Sequence, residues 1–155
     1  MSEFLFDEAA LVDFLVRAKA ATYASDSAEF VVAPLVPGTH QLDYTEGPFL
    51  YRDLYAGGLH FAGQETVYHD GVPVWSMVYA GGMLDESVPL GGVLKAALRQ
   101  VTADAPYRGP VEYRESDYVY TDTCNGEVTR FWGMEMITFQ GRPIYDLRYQ
   151  GGIIR

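Results

Sequence analysis

Residues 61–83 read FAGQETVYHDGVPVWSMVYAGGM, and residues 131–153, 70 positions later, read FWGMEMITFQGRPIYDLRYQGGI. Of the 23 aligned positions, eight are identical and five are close matches, and the alignment needs no gap. Similarity at a fixed spacing is the sign of an internal repeat, which has to be recognised before the fold is predicted. We therefore interpret the chain as two copies of one ancestral unit.

The repeat continues upstream of this stretch. LDYTEGPFLYRD at 42–53 aligns with VEYRESDYVYTD at 111–122, now displaced by 69 positions. The change of one residue falls in the next turn, where Asn125-Gly126 replaces Gly57-Gly58. Turns are where a change in length costs least. The sequence predicts a single domain over 1–155, with repeat 1 at about 7–83 and repeat 2 at about 88–153.

Hydrophobic spacing predicts a helix in front of each set of strands. Apolar residues recur at helical intervals over 7–23 and again over 90–101. Residues 41–55 alternate as a strand does, and two more strands follow, joined at Asp70-Gly71. Two such meanders, each covered by a helix, can share one core. We expect an α+β fold, with an internally duplicated helix-plus-three-strand unit forming a curved, mainly antiparallel sheet of about six strands with two helices.

Composition limits the class of protein. The chain has 155 residues, 48% of them hydrophobic and 21% charged, as in folded globular proteins. A net charge of −10 disfavours binding to nucleic acid or to an anionic membrane. One cysteine, Cys124, permits no intramolecular disulfide. The sequence shows neither a signal peptide nor a membrane span, so we expect a cytoplasmic protein.

The turn of the repeated hairpin decides which side chains share a face. A two-residue turn at Asp70-Gly71 would place Glu65 opposite Ser76, whereas a three-residue turn with a bulge would place it opposite Trp75. We favour the second arrangement, because it gathers on one face the positions that the second copy retains. In the first copy these positions are Phe61, Gly63, Glu65, Val67, Pro73, Trp75, Met77 and Tyr79.

This retained face is apolar and aromatic, with one carboxylate in each copy. An ionised Glu in such a surface needs partners or an aqueous cavity. Two related carboxylates among aromatic rings are suited to a cationic or hydrogen-bonding organic ligand. Alternatively, the carboxylates accept hydrogen bonds from tyrosine, tryptophan or backbone groups and hold the two copies in register. The candidate ligand-binding residues are Glu65, Glu135, Trp75, Tyr145, Tyr79 and Tyr149.

Other polar residues give weaker signals. Asp53 and Asp122 add a repeated carboxylate on the neighbouring strand, for which we favour a structural role. Arg108, in PYRGP, is expected in an exposed loop, although it could pair with a repeated carboxylate. No spacing of residues fits a metal site, a phosphate-binding glycine loop or a nucleophile with its base. We therefore predict no metal, no cofactor and no catalytic residue.

PGTHQLDY (37–44), GVPVWSMVY (71–79) and PYRGP (106–110) are similar to an uncharacterised bacterial family, domain of unknown function 5680. Members of that family occur alone or behind a helix-turn-helix DNA-binding domain of the Xre type, which implies a role in sensing an effector. The resemblance supplies no catalytic residues. This sequence has no such N-terminal domain, so we do not expect it to regulate genes directly.

These observations favour a small-molecule-binding module, resembling sensor domains associated with bacterial transcriptional regulators. One alternative is a hydrolase or lyase that uses the same carboxylates. The other is a protein-interaction module, such as a homodimer, with Trp132, Met134 and Met136 as the interface.

Overall fold

The computed structural model describes residues 6–155, which form one antiparallel sheet of nine strands with two helices on one of its faces. The strands lie in the order β1-β2-β3-β4-β5-β9-β8-β7-β6. The helices are α1 (Glu8–Ala21) and α2 (Val93–Leu98). The strands are β1 (Val31–Val32), β2 (His40–Glu46), β3 (Phe49–Gly57), β4 (His60–His69), β5 (Val72–Met83), β6 (Glu112–Glu115), β7 (Tyr118–Glu127), β8 (Arg130–Phe139) and β9 (Arg142–Ile153).

The duplicated sequence forms duplicated strands. β2–β5 and β6–β9 are two four-stranded meanders, and they join where β5 pairs with β9 at the centre of the sheet. Tyr79 lies opposite its own repeat equivalent, Tyr149, so a pseudo-twofold axis passes between these two residues. Each meander also has a bulge at the same place, where Val74 of β5 and Ile144 of β9 have no partner in the neighbouring strand.

The predicted α+β fold with about six strands is wrong, because the protein is mainly β and its sheet has nine strands. The stretch 41–55, interpreted as one strand, contains a turn at Gly47-Pro48, where Gly47 has φ +57°, so it forms the hairpin of β2 and β3. The second copy turns at the matching place, where Ser116 has φ +54°. Each unit therefore has four strands, and the two-residue edge strand β1 makes the ninth.

The helices are not equivalent in the two copies. α1 has 14 residues and is capped at its N-terminus by Asp7, whose side chain accepts a hydrogen bond from the Ala9 amide at 3.2 Å. α2 has only six residues, fewer than the predicted 90–101. It begins after Gly91, which has φ +57° and cannot lie in a right-handed helix in that conformation.

The hairpin of the repeated stretch has the shorter of the two turns considered. Asp70 and Gly71 form a two-residue turn, so the predicted three-residue turn is wrong. The bulge lies further along the hairpin, so that Glu65 pairs with Met77. This register still places the Glu65, Trp75 and Tyr79 side chains on the helix-covered face.

The protein core lies between that face and the helices. Its largest fully buried side chains include Trp75, Tyr51, Tyr120, Phe14 and Lys19, so an amino group is buried among the aromatic rings. None of the helices in the described part of the chain is long and apolar enough to cross a membrane.

Candidate functional site

A buried ion pair lies at the centre of the first repeat. Nζ of Lys19, on α1, donates to both oxygens of Glu65, on β4, at 2.9 and 3.1 Å, and to the backbone oxygen of Tyr107 at 2.7 Å. Tyr51 donates its hydroxyl to the same carboxylate. Lys19 and Glu65 are both completely buried. The pair therefore ties α1 to the sheet and to the 106–110 loop.

The second repeat holds its carboxylate with an arginine instead. Arg108 donates from Nε and Nη2 to the two oxygens of Glu135, at 3.1 and 2.5 Å. Tyr120 and Tyr145 donate their hydroxyls to the same carboxylate at 2.6 and 2.8 Å. Tyr145 replaces Trp75 of the first copy and so supplies a hydroxyl that tryptophan lacks. The expectation of an exposed Arg108 is wrong, because this side chain is buried against Glu135.

Burial affects the pKa of both cations, Lys19 and Arg108. Removal from water lowers the pKa of Lys19, and Glu65 offsets only part of that effect. Burial also lowers the pKa of Arg108, but Glu135 and nearby tyrosines raise it by more, so the pKa stands well above its usual range. Every buried side-chain nitrogen and oxygen in the described part of the chain has a hydrogen-bond partner. Such complete pairing is what makes buried charges tolerable.

Two aspartates beside these ion pairs, Asp53 and Asp122, form no ion pair with another described residue. Tyr79 donates its hydroxyl to Oδ1 of Asp53 at 2.6 Å, and Tyr149 donates to Oδ1 of Asp122 at 2.8 Å. Burial, with the nearby Glu65 charge, raises the pKa of Asp53 to about 7. Burial also raises the pKa of Asp122 to about 7, although the Tyr149 hydrogen bond opposes the shift. Both carboxyls therefore titrate near neutral pH.

Asp53 forms part of the wall of a hollow of about 300 Å³ between the sheet and α2. We call it the Asp53 hollow. Its aromatic wall consists of Tyr23, Tyr55, Phe61 and Tyr79. Leu94 and Leu98 of α2 close it on the helix side, and Lys95 and Arg108 also line it. This combination of apolar walls and a few polar groups is typical of small-molecule sites.

Both cations that line the Asp53 hollow are already engaged. Arg108 is paired with Glu135, and its guanidinium carbon lies 5.3 Å from the centre of the Tyr23 ring and 5.7 Å from that of Tyr79. Lys95 is an exposed residue whose Nζ donates to Asp26 at 3.2 Å. Oδ2 of Asp53 accepts no hydrogen bond from the described residues. Asp53 is thus the acceptor in this hollow that has capacity left for a ligand.

The second repeat has a related hollow of about 450 Å³, beside Asp122. Its wall differs in two ways. Cys124 takes the place of Tyr55, and the loop at 102–111 lines this hollow in the position that α2 has in the Asp53 hollow. Burial raises the pKa of the Cys124 thiol. Among the described residues no group of three or more His, Cys, Asp and Glu side chains is placed to hold a metal ion.

The predicted site residues are brought to one face of the sheet but not into one cavity. Glu65 and Glu135 are fully buried in separate ion pairs. Trp75 lies in the core, stacked on Phe131 at 5.7 Å, with its indole N–H donating to the Val128 backbone oxygen. Tyr79 lines the Asp53 hollow. Tyr145 and Tyr149 bind Glu135 and Asp122.

Sequence reasoning missed Lys19, although a signal was present. Lys19 follows Leu11 and Leu15 at intervals of four residues and therefore falls on the apolar stripe of α1. A charged residue at such a position indicates a buried partner. Arg108 had no comparable signal, because nothing in a loop sequence indicates the distance to Glu135.

The alternative interface lies on the opposite, helix-free face of the sheet. Trp132 is 53% exposed there, and Met134 and Met136 are half-buried. An association through this face stays a prediction, and it concerns a surface separate from the Asp53 hollow.

Gly63 creates the space in which Tyr79 reaches Asp53. A Cβ at position 63 would overlap the Tyr79 hydroxyl and would lie 2.6 Å from Cβ of Tyr55. We expect Gly63→Ala to destabilise the protein by about 1–3 kcal/mol, because the rings cannot move aside without strain. Urea denaturation measures the change. Gly58→Ala is the matched control, since its Cβ would meet nothing within 4 Å, and an equal loss in both variants would contradict the packing argument.

The fold and site define a class: a mainly β, internally duplicated single-sheet protein, with charged pairs in its core and a carboxylate-based hollow under a short helix. The family described as Domain of unknown function (DUF5680) matches residues 53–154, which is more than half of the chain, and the chain belongs to this family. No curated protein and no solved structure matches the chain significantly.

Proposed function

We propose that the protein is a cytoplasmic binding module for a small organic cation, which it holds against Asp53 between aromatic rings. The observation that carries this proposal is the imbalance of charge in the core. Lys19 is matched by Glu65 and Arg108 by Glu135, whereas Asp53 has no partner cation among the described residues. A cationic ligand would supply the missing charge.

The walls of the Asp53 hollow suit the same ligand. Tyr55, Phe61 and Tyr79 present rings around the carboxyl, and aromatic faces attract ammonium groups within about 6 Å. The retained face of the repeat thus contributes to binding through Tyr79 and its neighbours. Glu65 acts indirectly: together with burial, its charge raises the pKa of Asp53 to about 7, so that the ionisation of Asp53, and with it the affinity for a cation, changes near neutral pH.

Calorimetry with benzyltrimethylammonium tests the proposal, since this cation cannot lose its charge. We expect it to bind the wild type and to bind Asp53→Asn at least about tenfold more weakly, because one ion pair in a partly dry site contributes more than about 1.4 kcal/mol. Asp122→Asn, in the other repeat, is the matched control and should retain binding. Benzyl alcohol is the neutral control ligand.

The affinity should also depend on pH. Because the ionised form of Asp53 attracts the cation, binding should strengthen by about tenfold between pH 6 and pH 8 and then level off. Equal binding of benzyl alcohol, or equal binding by the wild type and Asp53→Asn, would contradict the proposed function.

A further inference from the structure

A second hollow of about 370 Å³ adjoins the Asp53 hollow. We call it the apolar hollow. Its wall is mainly Leu59, Met83, Val88, Pro89 and Leu90, with Tyr145 at its base. Glu86 is the charged residue in its lining, and this residue is exposed.

The two hollows share part of their walls. Gly58 and Phe61 line both. The Phe61 ring lies between the two chambers, with its centre 6.1 Å from that of Tyr79 and 6.5 Å from that of Tyr145. Residues 88–98 cover both hollows, since Val88 to Leu90 close the apolar hollow and α2 closes the other. The two hollows are therefore neighbours that meet at Gly58 and Phe61, one with a buried acidic group and the other mainly apolar.

From this geometry, and resting on the proposed function, we infer that the ligand class is an amphiphilic cation, with an ammonium head at Asp53 and a hydrocarbon tail that passes Phe61 into the apolar hollow. The distribution of charge argues for this orientation. The acid of the first hollow, Asp53, is buried, whereas the acid of the second, Glu86, is exposed to water. The rest of the second wall is mostly aliphatic and suits a tail. Burial of apolar surface then adds to affinity in proportion to tail length.

Alkyltrimethylammonium ions with butyl, hexyl and octyl chains test the inference, used below the concentrations at which they form micelles. We expect the affinity of the wild type to rise by up to about fourfold for each methylene added, the limit for complete burial. In Leu90→Gln, which places an amide in the apolar hollow, the gain from butyl to octyl should be largely lost. Leu84→Gln is the matched control, because Leu84 is an exposed leucine directly after β5 that lines neither hollow.

Gly58→Leu gives a second, independent variant. Position 58 has open space for a side chain and lies on both hollows, so leucine should obstruct the place where they meet without straining the backbone. We expect octyl binding to weaken more than butyl binding. If butyl binds the wild type but not Asp53→Asn, and tail length has no effect, the inference is overturned and the proposed function stands. If no ion in the series binds, both fail, and a gain with tail length that persists in Leu90→Gln and Gly58→Leu also overturns the inference.

Discussion

Replacing Lys19 by Met should destabilise the protein by about 3–5 kcal/mol, because the Glu65 carboxylate would remain buried without its cation. A loss of this size is a large fraction of the stability of a typical single domain. The loss of stability comes from leaving the Glu65 carboxylate buried and unpaired. The net stabilisation that the ion pair itself provides is smaller. Urea denaturation of the wild type and the variant at pH 7 measures it.

The double variant Lys19→Met with Glu65→Gln separates the cost of the unpaired Glu65 charge from the net contribution of the ion pair. Glutamine still offers an acceptor to the Tyr51 hydroxyl but carries no charge, so most of the lost stability should return. Arg17→Met is the surface control, because Arg17 pairs with Glu46 at 2.7 Å in an exposed position, where little change is expected. If the two losses simply added in the double variant, the ion pair would not be what couples these residues.

Replacing Asp53 by asparagine should change how stability depends on pH. The pKa of Asp53 is raised to about 7 in the folded protein, by burial and by Glu65, against about 3.9 in an unfolded chain. Between these values the folded state holds a proton that the unfolded state has lost, so this group makes the wild type less stable as pH rises from about 4 to about 7. The substitution would remove that contribution, because an amide does not titrate in this range. The variant should therefore be the more stable protein at pH 8, by roughly a few kcal/mol, and should gain little at pH 4.

The difference in unfolding free energy between the two proteins, measured at pH 4, 5, 6, 7 and 8, reports the titration of Asp53 together with its interaction with Glu65. The amide oxygen of the introduced asparagine can still accept the Tyr79 hydroxyl, so packing is matched. Asp122→Asn should behave in the same direction, because the pKa of Asp122 is also raised to about 7. A difference that stays constant over this range would show that Asp53 titrates in the folded state as it does in the unfolded chain.

Part of the site could be predicted from the repeat alone. The positions that both copies keep, while their neighbours vary, identify the face that packs inward. Among them are Glu65 and Tyr79, which are Glu135 and Tyr149 in the second copy. The sequence also suggested that the repeated Glu accepts hydrogen bonds from tyrosine hydroxyls. The structure shows this, since Tyr51 donates to Glu65 and Tyr120 donates to Glu135. Parity along a strand is a local property, so sequence can reveal it.

Two of the strands that the prediction lacked were missed for an equally local reason, the third being the short edge strand β1. Gly47-Pro48 in the first copy and Ser116-Asp117 in the second are turn sequences of different composition, and the alternation of aromatic residues continues on both sides of each. The pattern of side chains therefore resembled one long strand where the backbone reverses.

The sequence by itself determined the duplication, the inward face with its repeated carboxylates, and the first helix, which was predicted over 7–23 and lies at 8–21. Only the tertiary structure decided which cations meet those carboxylates, and that Asp53 has none among the described residues. Lys19 and Glu65 are 46 positions apart, and Arg108 and Glu135 are 27 apart. Spacing along a chain defines neighbours within a strand or helix, whereas partners across a core depend on how those elements pack. The burial of Asp53 and its position in the wall of a hollow exist only after that packing.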